Sequence, residues 1–408
     1  MPARRRWTPV VGTGNRVYDA RERLLLGLAD LPGRLLLGWR AHAAAPVPRD
    51  AVREVLVLRL DRIGDLIMSL PALHDLRRAL PQARIRLAVG AWSESLARGA
   101  PVDEVLVWSA PWVGRPSEGA SPIGELLRRA KALRTARLDL AIDLQGDVRA
   151  SLLMWHSGAR ARVGYANTGG AYLLSHVVPL DERLSWVEQN RRAVAVAVGP
   201  GDGAPRFEAL GQADRDFLKH LLQNLHLDQK RPLVGLHPSG GRPVKQWPVE
   251  RWAEVGSRLQ QNLGATILVT GAQADAALGA ALVRMLPKKP IDLTGRLSVR
   301  ETLALIAGLD LFMSPDTGPM HMACAVDTPS VSVFGPSDPA RYFSGGDGRT
   351  GSRHVVVKPE LWCSPCNLIR KPPEECAGDE PPECLRLVAT DAVYAEAERL
   401  LTRSAGRS

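Results

Sequence analysis

Residues 57–73, VLRLDRIGDLIMSLPAL, open as a buried β-strand and close as the first turns of a helix, with Asp61, Arg62 and Asp65 set between the two. A strand that passes through a short loop into a helix is the first half of a βαβ unit, and such units build parallel sheets. Gly64 permits the tight turn. Asp65 then falls at or near the N-terminus of the helix, where a carboxylate accepts backbone N–H bonds. A carboxylate beyond the end of a strand also stands where open α/β sheets bind ligands, poised to take a proton from a hydroxyl. The local pattern leaves both readings open.

Outward from this stretch the same alternation continues. EVLVLRL and RIRLAVG read as strands around the helix LPALHDLRRAL, and EVLVW and LDLAIDLQG follow with the helix IGELLRRAKALR between them. After GPGDGAPRF and a charged helical stretch, QADRDFLKHLLQNLHL, a second series begins at RPLVGLHPSG. Strands LVGLHP, ATILVTG, PIDLTG, DLFMSPDTG and SVSVFG alternate there with four helical patterns. The expected fold is therefore α/β, two Rossmann-like doubly wound domains facing each other across a cleft. The first spans 51–205 and the second 230–350, with an arm at 1–50 and a Cys- and Pro-rich segment with a C-terminal helix at 351–408. The length of 408 residues agrees with two domains of roughly 150–200 residues each.

The charge narrows the partners. Of the net +10, about half lies in residues 1–54, which carry ten arginines against five acids. Within this arm Val17, Leu24, Leu28, Leu31 and Leu35 recur at helical spacing, with Leu25, Leu36 and Trp39 widening the stripe. A basic amphipathic helix suits an anionic membrane surface, and packing on the body of the protein is the alternative. Nucleic acid is disfavoured, since aromatics make up only 5% of the chain and no helix-turn-helix, finger or RNP pattern is present. Asp30, Pro32 and Arg34 interrupt any secretory signal core, and no run approaches the roughly 20 apolar residues of a membrane span. The expected location is cytoplasmic, peripheral on the inner face of the cytoplasmic membrane.

Two more loops could carry chemistry. In HPSGGRPVKQWPVERW, residues 237–252, Ser239, Gly240 and Gly241 let backbone amides approach a ligand and Lys245 adds a cation, which suits phosphate. The spacing is not that of a Walker loop. In SPDTGPMHMACAV, residues 314–326, Asp316, Thr317 and Gly318 end a strand and Pro319 opens a helix, so that its N-terminus offers an anion site with His321 in the first turn. Late in the chain Cys363, Cys366, Cys376 and Cys384 are spaced C-x2-C-x9-C-x7-C. A structural zinc on all four thiolates is one reading, and reduced packing cysteines or a redox-sensitive loop are the others. Cys324, in an apolar helix, reads as core.

Six stretches, in this order, make the chain resemble glycosyltransferase family 9, the heptosyltransferase-like enzymes of GT-B fold: RLDRIGDLIMSLPAL, DLAIDLQGDVRAS, GARARVGY, GLHPSGGRPVKQWPVERW, DLTGRLSVRETLALIAGLDLFMSPDTGPMHMACAV and VSVFGPSDP. The resemblance covers roughly residues 53–345. It implies transfer of a sugar, heptose from ADP-heptose by analogy, from a nucleotide-sugar donor to a lipopolysaccharide-type or other glycolipid acceptor. It also implies Asp65 as general base, and Ser239, Lys245, Thr294, Gly295, Asp316, Thr317, Gly318 and His321 at the donor. Arg62 and Arg149 fall on the acceptor side. A single base opposite the leaving group implies inversion, and Lys245 with a helix N-terminus implies that no metal or other cofactor is needed for catalysis, in keeping with the lack of a D-x-D element at a strand end. The arm and the cysteine-rich tail lie outside the resemblance. A non-catalytic nucleotide-sugar or glycolipid binder is the rival reading. A dehydrogenase is disfavoured because neither first βα turn carries G-x-G-x-x-G.

Overall fold

A computed structural model of the chain describes residues 48–113, 121–201, 210–227, 232–346, 348–369, 372–378 and 381–405, together with Gly33 and Phe207. Two compact units divide at Arg206–Phe207. Apart from Gly33 and residues 48–50, the basic arm lies outside the described residues. Gly33 is helical and half-buried, and a methyl group added to it would fall 2.1 Å from Cζ of Tyr172.

The first unit holds six parallel strands: β1 Glu54–Arg59, β2 Arg84–Val89, β3 Glu104–Val107, β4 Leu140–Asp143, β5 Ala161–Gly164 and β6 His176–Val177. Their order is β3-β2-β1-β4-β5-β6. β1 lies inside the sheet and is covered on both faces, so Val55 to Arg59 are all buried and the strand shows no alternation. On one face Leu56, Leu58 and Ala141 meet Leu126 and Ala130 of helix Ile123–Ala132 and Leu153 and Met154 of helix Val148–His156. On the other, helix Ile63–Ala79 packs along helix Trp186–Val198. There Asn190 donates to Met68 O at 3.1 Å and Ser69 Oγ at 3.2 Å.

The second unit repeats the plan with β7 Leu233–Leu236, β8 Thr266–Val269, β9 Ile291–Asp292, β10 Leu311–Pro315, β11 Ser330–Val333 and β12 His354–Val357. All are parallel, in the order β12-β11-β10-β7-β8-β9. The expected α/β architecture of two doubly wound units is the one observed. The border drawn at residue 350 needs correction. β12 completes this sheet, and Val393, Ala397, Leu400 and Leu401 of helix Thr390–Ala405 share one core with Trp252, Val255 and Leu259. The segment 351–408 is thus part of the second unit, because without it β11 and helix Val249–Asn262 would expose apolar surface. No described helix is long and apolar enough to cross a membrane.

Where strand order reverses, between β1 and β4 and again between β7 and β10, the flanking connections leave on opposite faces and open a crevice at the carboxyl ends of the strands. The loops after β1, β4, β7 and β10 are those that border it in each sheet.

Candidate active site

In the first unit, β1 ends on Arg59 and helix Ile63–Ala79 begins after Arg62, so Asp65 is the third helical residue rather than the cap itself. Its Oδ2 accepts the Arg62 N–H at 3.2 Å. Its Oδ1 lies 3.6 Å from Nη2 of Arg59, and the side chain keeps 28% of its surface exposed. The capping role and an open carboxylate therefore coexist. Arg62 itself is exposed. Asp61 pairs with Arg59, Oδ1 to Nε at 3.0 Å. Burial lifts the Asp61 carboxyl well above the usual range; Arg59 draws it back, while Asp65 and Asp143 push it further up.

Across the switch point, β4 ends on buried Asp143, whose carboxylate accepts from the backbone N–H groups of Gln145 at 2.9 Å and Gly146 at 3.0 Å. Burial nonetheless pushes its carboxyl up to about 7, against those bonds and the charge of Arg59. Four residues after Asp143, Asp147 caps helix Val148–His156 by accepting from Arg149 N at 2.8 Å. The Arg149 guanidinium turns back to grip the same carboxylate, at 2.7 and 2.5 Å, and lies over the Trp112 ring at 4.7 Å. Arg149 thus stands at the ligand edge, with its charge already paired.

In the second unit the predicted donor residues come from three strand ends, those of β7, β9 and β10. After β7, Ser239 donates to Asp275 Oδ1 at 2.7 Å and accepts from Gly241 N at 3.3 Å. A Cβ on Gly240 would fall 2.6 Å from the carbonyl carbon of Lys245, so the loop folds tightly enough to require glycine there. Lys245 ends a 3₁₀ turn, Pro243–Lys245, that leads directly into Trp247. Trp247 is wholly buried and meets Trp252 edge to face at 4.7 Å between ring centroids. The turn is thereby fixed, and Lys245 Nζ reaches Asp316 Oδ2 at 2.9 Å.

Asp316 follows β10 and also accepts from Ser337 Oγ, a residue of the loop after β11. Although burial opposes ionisation, Lys245, Ser337 and His321 hold its carboxyl below the usual range. Thr317 stands at the N-cap position of helix Gly318–Ala325 without a side-chain capping bond, and Pro319 is the second residue of the helix. His321 is buried, its Nδ1 2.9 Å from Ser344 Oγ. After β9, Gly295 takes a left-handed φ of 71° and donates its N–H to Gly271 O at 2.9 Å. The Thr294 hydroxyl is buried there without a hydrogen-bond partner among the described residues. Asp275 receives both Ser239 and the N–H of Ala272, the latter at 2.9 Å, so Ser239 is linked through that loop to Thr294 and Gly295. Buried His237, facing Thr270 Oγ1 at 3.1 Å, is pushed down to about 4 by burial, with Asp275 opposing, and is neutral.

The four late cysteines bear no disulfide; Cys363 is exposed, Cys366 and Cys376 are half-buried, and Cys384 is buried. Burial, then neighbouring thiols and glutamates, raise Cys363 and Cys376, and Cys384 is pushed up to about 12. Among the described residues no three His, Cys, Asp or Glu side chains are placed to share a metal ion. Cys324 is core, its thiol pushed up to about 12 by burial.

Sequence reading missed Asp143, Asn190, Asp275 and Ser337 as members of these clusters. For Asp143 a signal was present, a charged residue closing an otherwise apolar strand. Asn190 and Asp275 come from other elements and carry none.

The model of glycosyltransferase family 9 (heptosyltransferase) matches residues 126–376. Lipopolysaccharide heptosyltransferase 2 of Salmonella typhimurium is 27% identical over 299 residues, covering 70% of this chain and 84% of that protein. Among solved structures, the Escherichia coli ADP-heptose lps heptosyltransferase II superposes with a TM-score of 0.69 at 22% identity, over 86% of this chain and 99% of that one. E. coli heptosyltransferase WaaC, solved with ADP, gives a TM-score of 0.63 at 23% identity, over 85% and 99%. With more than half its length matched by the family model, and both sheets presenting charged loops at their switch points, the chain belongs to glycosyltransferase family 9, the heptosyltransferase family, and is a glycosyltransferase.

Proposed function

We propose that this glycosyltransferase moves heptose from ADP-heptose to a lipopolysaccharide-type acceptor in one inverting displacement, with Asp65 as general base and no metal. The observation that carries the reading is the half-open Asp65 carboxylate in the first turn of the helix that follows the switch-point loop of the first sheet. The acceptor hydroxyl gives its proton to Asp65 as its oxygen bonds to the anomeric carbon. The bond from that carbon to the diphosphate breaks, and its electron pair leaves on the phosphate oxygen. Lys245 and the positive end of helix Gly318–Ala325 meet the charge that develops there. An ammonium has three donors, and the contact with Asp316 occupies one. Ser239, Thr294 and Gly295 complete the donor side. Arg62 attracts an anionic acceptor, Arg149, paired with Asp147, lines the acceptor side, and the basic arm holds the enzyme at the cytoplasmic face of the membrane where a lipid-linked acceptor resides.

Asp65→Asn tests the assignment. Transfer from ADP-heptose falls by about 10²–10⁴-fold while protection from heat by ADP is unchanged, since the donor loops belong to the second unit. Wild-type turnover in that variant, or a product that retains the donor's anomeric configuration, would sink the mechanism.

A further inference from the structure

Arg59 closes β1 and is only 2% exposed, yet its guanidinium points to the ligand edge of the sheet. Nη1 donates to Leu144 O and lies 3.5 Å from Asn190 Oδ1. Nε lies 3.0 Å from Asp61 Oδ1 without hydrogen-bond geometry. Nη2 lies 3.6 Å from Asp65 Oδ1. One buried cation therefore serves the carboxylates of both Asp61 and Asp65, and its field reaches Asp143 as well. Burying a guanidinium is costly, and well-packed apolar residues often replace buried ion pairs without loss of stability. Packing alone is a poor reason for an arginine at the end of a strand whose other core residues are aliphatic.

Of the carboxylates around it, Asp65 is the most open, its side chain 28% exposed against 18% for Asp61. Asp65 is also held at each oxygen by one contact, Oδ2 by the Arg62 N–H and Oδ1 by Arg59. We infer that Arg59 is a positioning residue for the transfer reaction, fixing the plane of the Asp65 carboxylate so that its remaining lone pairs face the acceptor hydroxyl. The inference rests on Asp65 being the base. A fixed carboxylate is worth much in rate, because a misplacement of about 1 Å can cost about 10²-fold. A planar fork can touch Asp61, Asp65 and the two anchoring carbonyl oxygens at once, which a lysine ammonium cannot.

The test compares kcat, donor KM and thermal unfolding in Arg59→Met, Arg59→Lys, Asp65→Asn and the double variant Arg59→Met/Asp65→Asn. Arg59→Met loses about 10²-fold in kcat with donor KM held, and Arg59→Lys recovers part of it. Adding Arg59→Met to Asp65→Asn costs nothing further, because the arginine acts only through that carboxylate. Full kcat in folded Arg59→Met, or a loss that multiplies with that of Asp65→Asn, overturns the inference. Should Arg59→Met fail to fold because Asp61 is left unpaired, Arg59→Met/Asp61→Asn removes the orphaned charge, and the same comparison decides on that protein. An active Asp65→Asn removes the base assignment and this inference with it; an inactive Asp65→Asn beside a fully active Arg59→Met removes only the role of Arg59.

Discussion

At the scale of residues, the two sheets keep opposite kinds of titrating group at their ligand edges. Asp143 is raised by burial to about 7, so between its unfolded value near 3.8 and about pH 7 the native state binds the extra proton. Its contribution to stability is present at low pH and is lost as pH rises through that window, by at most about 4 kcal/mol. His237 is lowered by burial to about 4. Here the unfolded state binds the extra proton, so stability present above about pH 6.5 is lost as pH falls toward 4, by about 3 kcal/mol at most. Melting curves of Asp143→Asn and His237→Asn from pH 4 to 8 separate the two. The first variant gains on the parent as pH rises and the second gains as pH falls, and parallel curves for either would show that its parent group does not titrate differently on folding. Asp65, Lys245 and Asp316 were legible one by one as residues at strand ends. The pairing of Lys245 with Asp316, 71 positions apart, was not.

At the scale of elements, donor chemistry depends on a loop held by its neighbours. Lys245 sits two residues before Trp247, which is buried against Trp252. Trp247→Ala would leave a cavity under the 3₁₀ turn and destabilise the second unit by about 3–5 kcal/mol, and it would loosen ADP binding because the lysine loses its seat. Calorimetry of ADP binding together with urea unfolding checks both, and intact affinity in a destabilised variant would mean that the turn does not need its anchor. Strands with long apolar runs, such as β1 and β10, were readable from sequence. β5 and β6 were not read as strands, being four and two residues long; Arg160, Arg162 and the edge position leave them little apolar pattern to display. β12 was assigned outside the sheet for a similar reason, since it follows a Gly-rich stretch and adds at the edge after the expected end of the domain.

At the scale of the whole molecule, the proposed membrane attachment is carried by composition. Removing residues 1–47 deletes eight arginines and leaves nearly every described residue in place. Co-sedimentation with anionic liposomes then falls sharply and becomes insensitive to salt, whereas transfer to a soluble acceptor fragment persists; equal sedimentation of both proteins would rule the arm out as the anchor. The sequence by itself determined the alternation of strand and helix, hence two parallel α/β units, and the six ordered stretches that point to the family. Both depend on hydrophobic period and short loops, which are local properties of the chain. Only the tertiary structure decided the strand order, the inclusion of residues 351–405 in the second core, and the partners of each charge. Whether Asp61 serves Arg59 or Arg62, and whether Arg149 has a partner, depends on which side chains burial forces together, and the cost of an unpaired charge in a dry interior is paid between residues far apart in sequence.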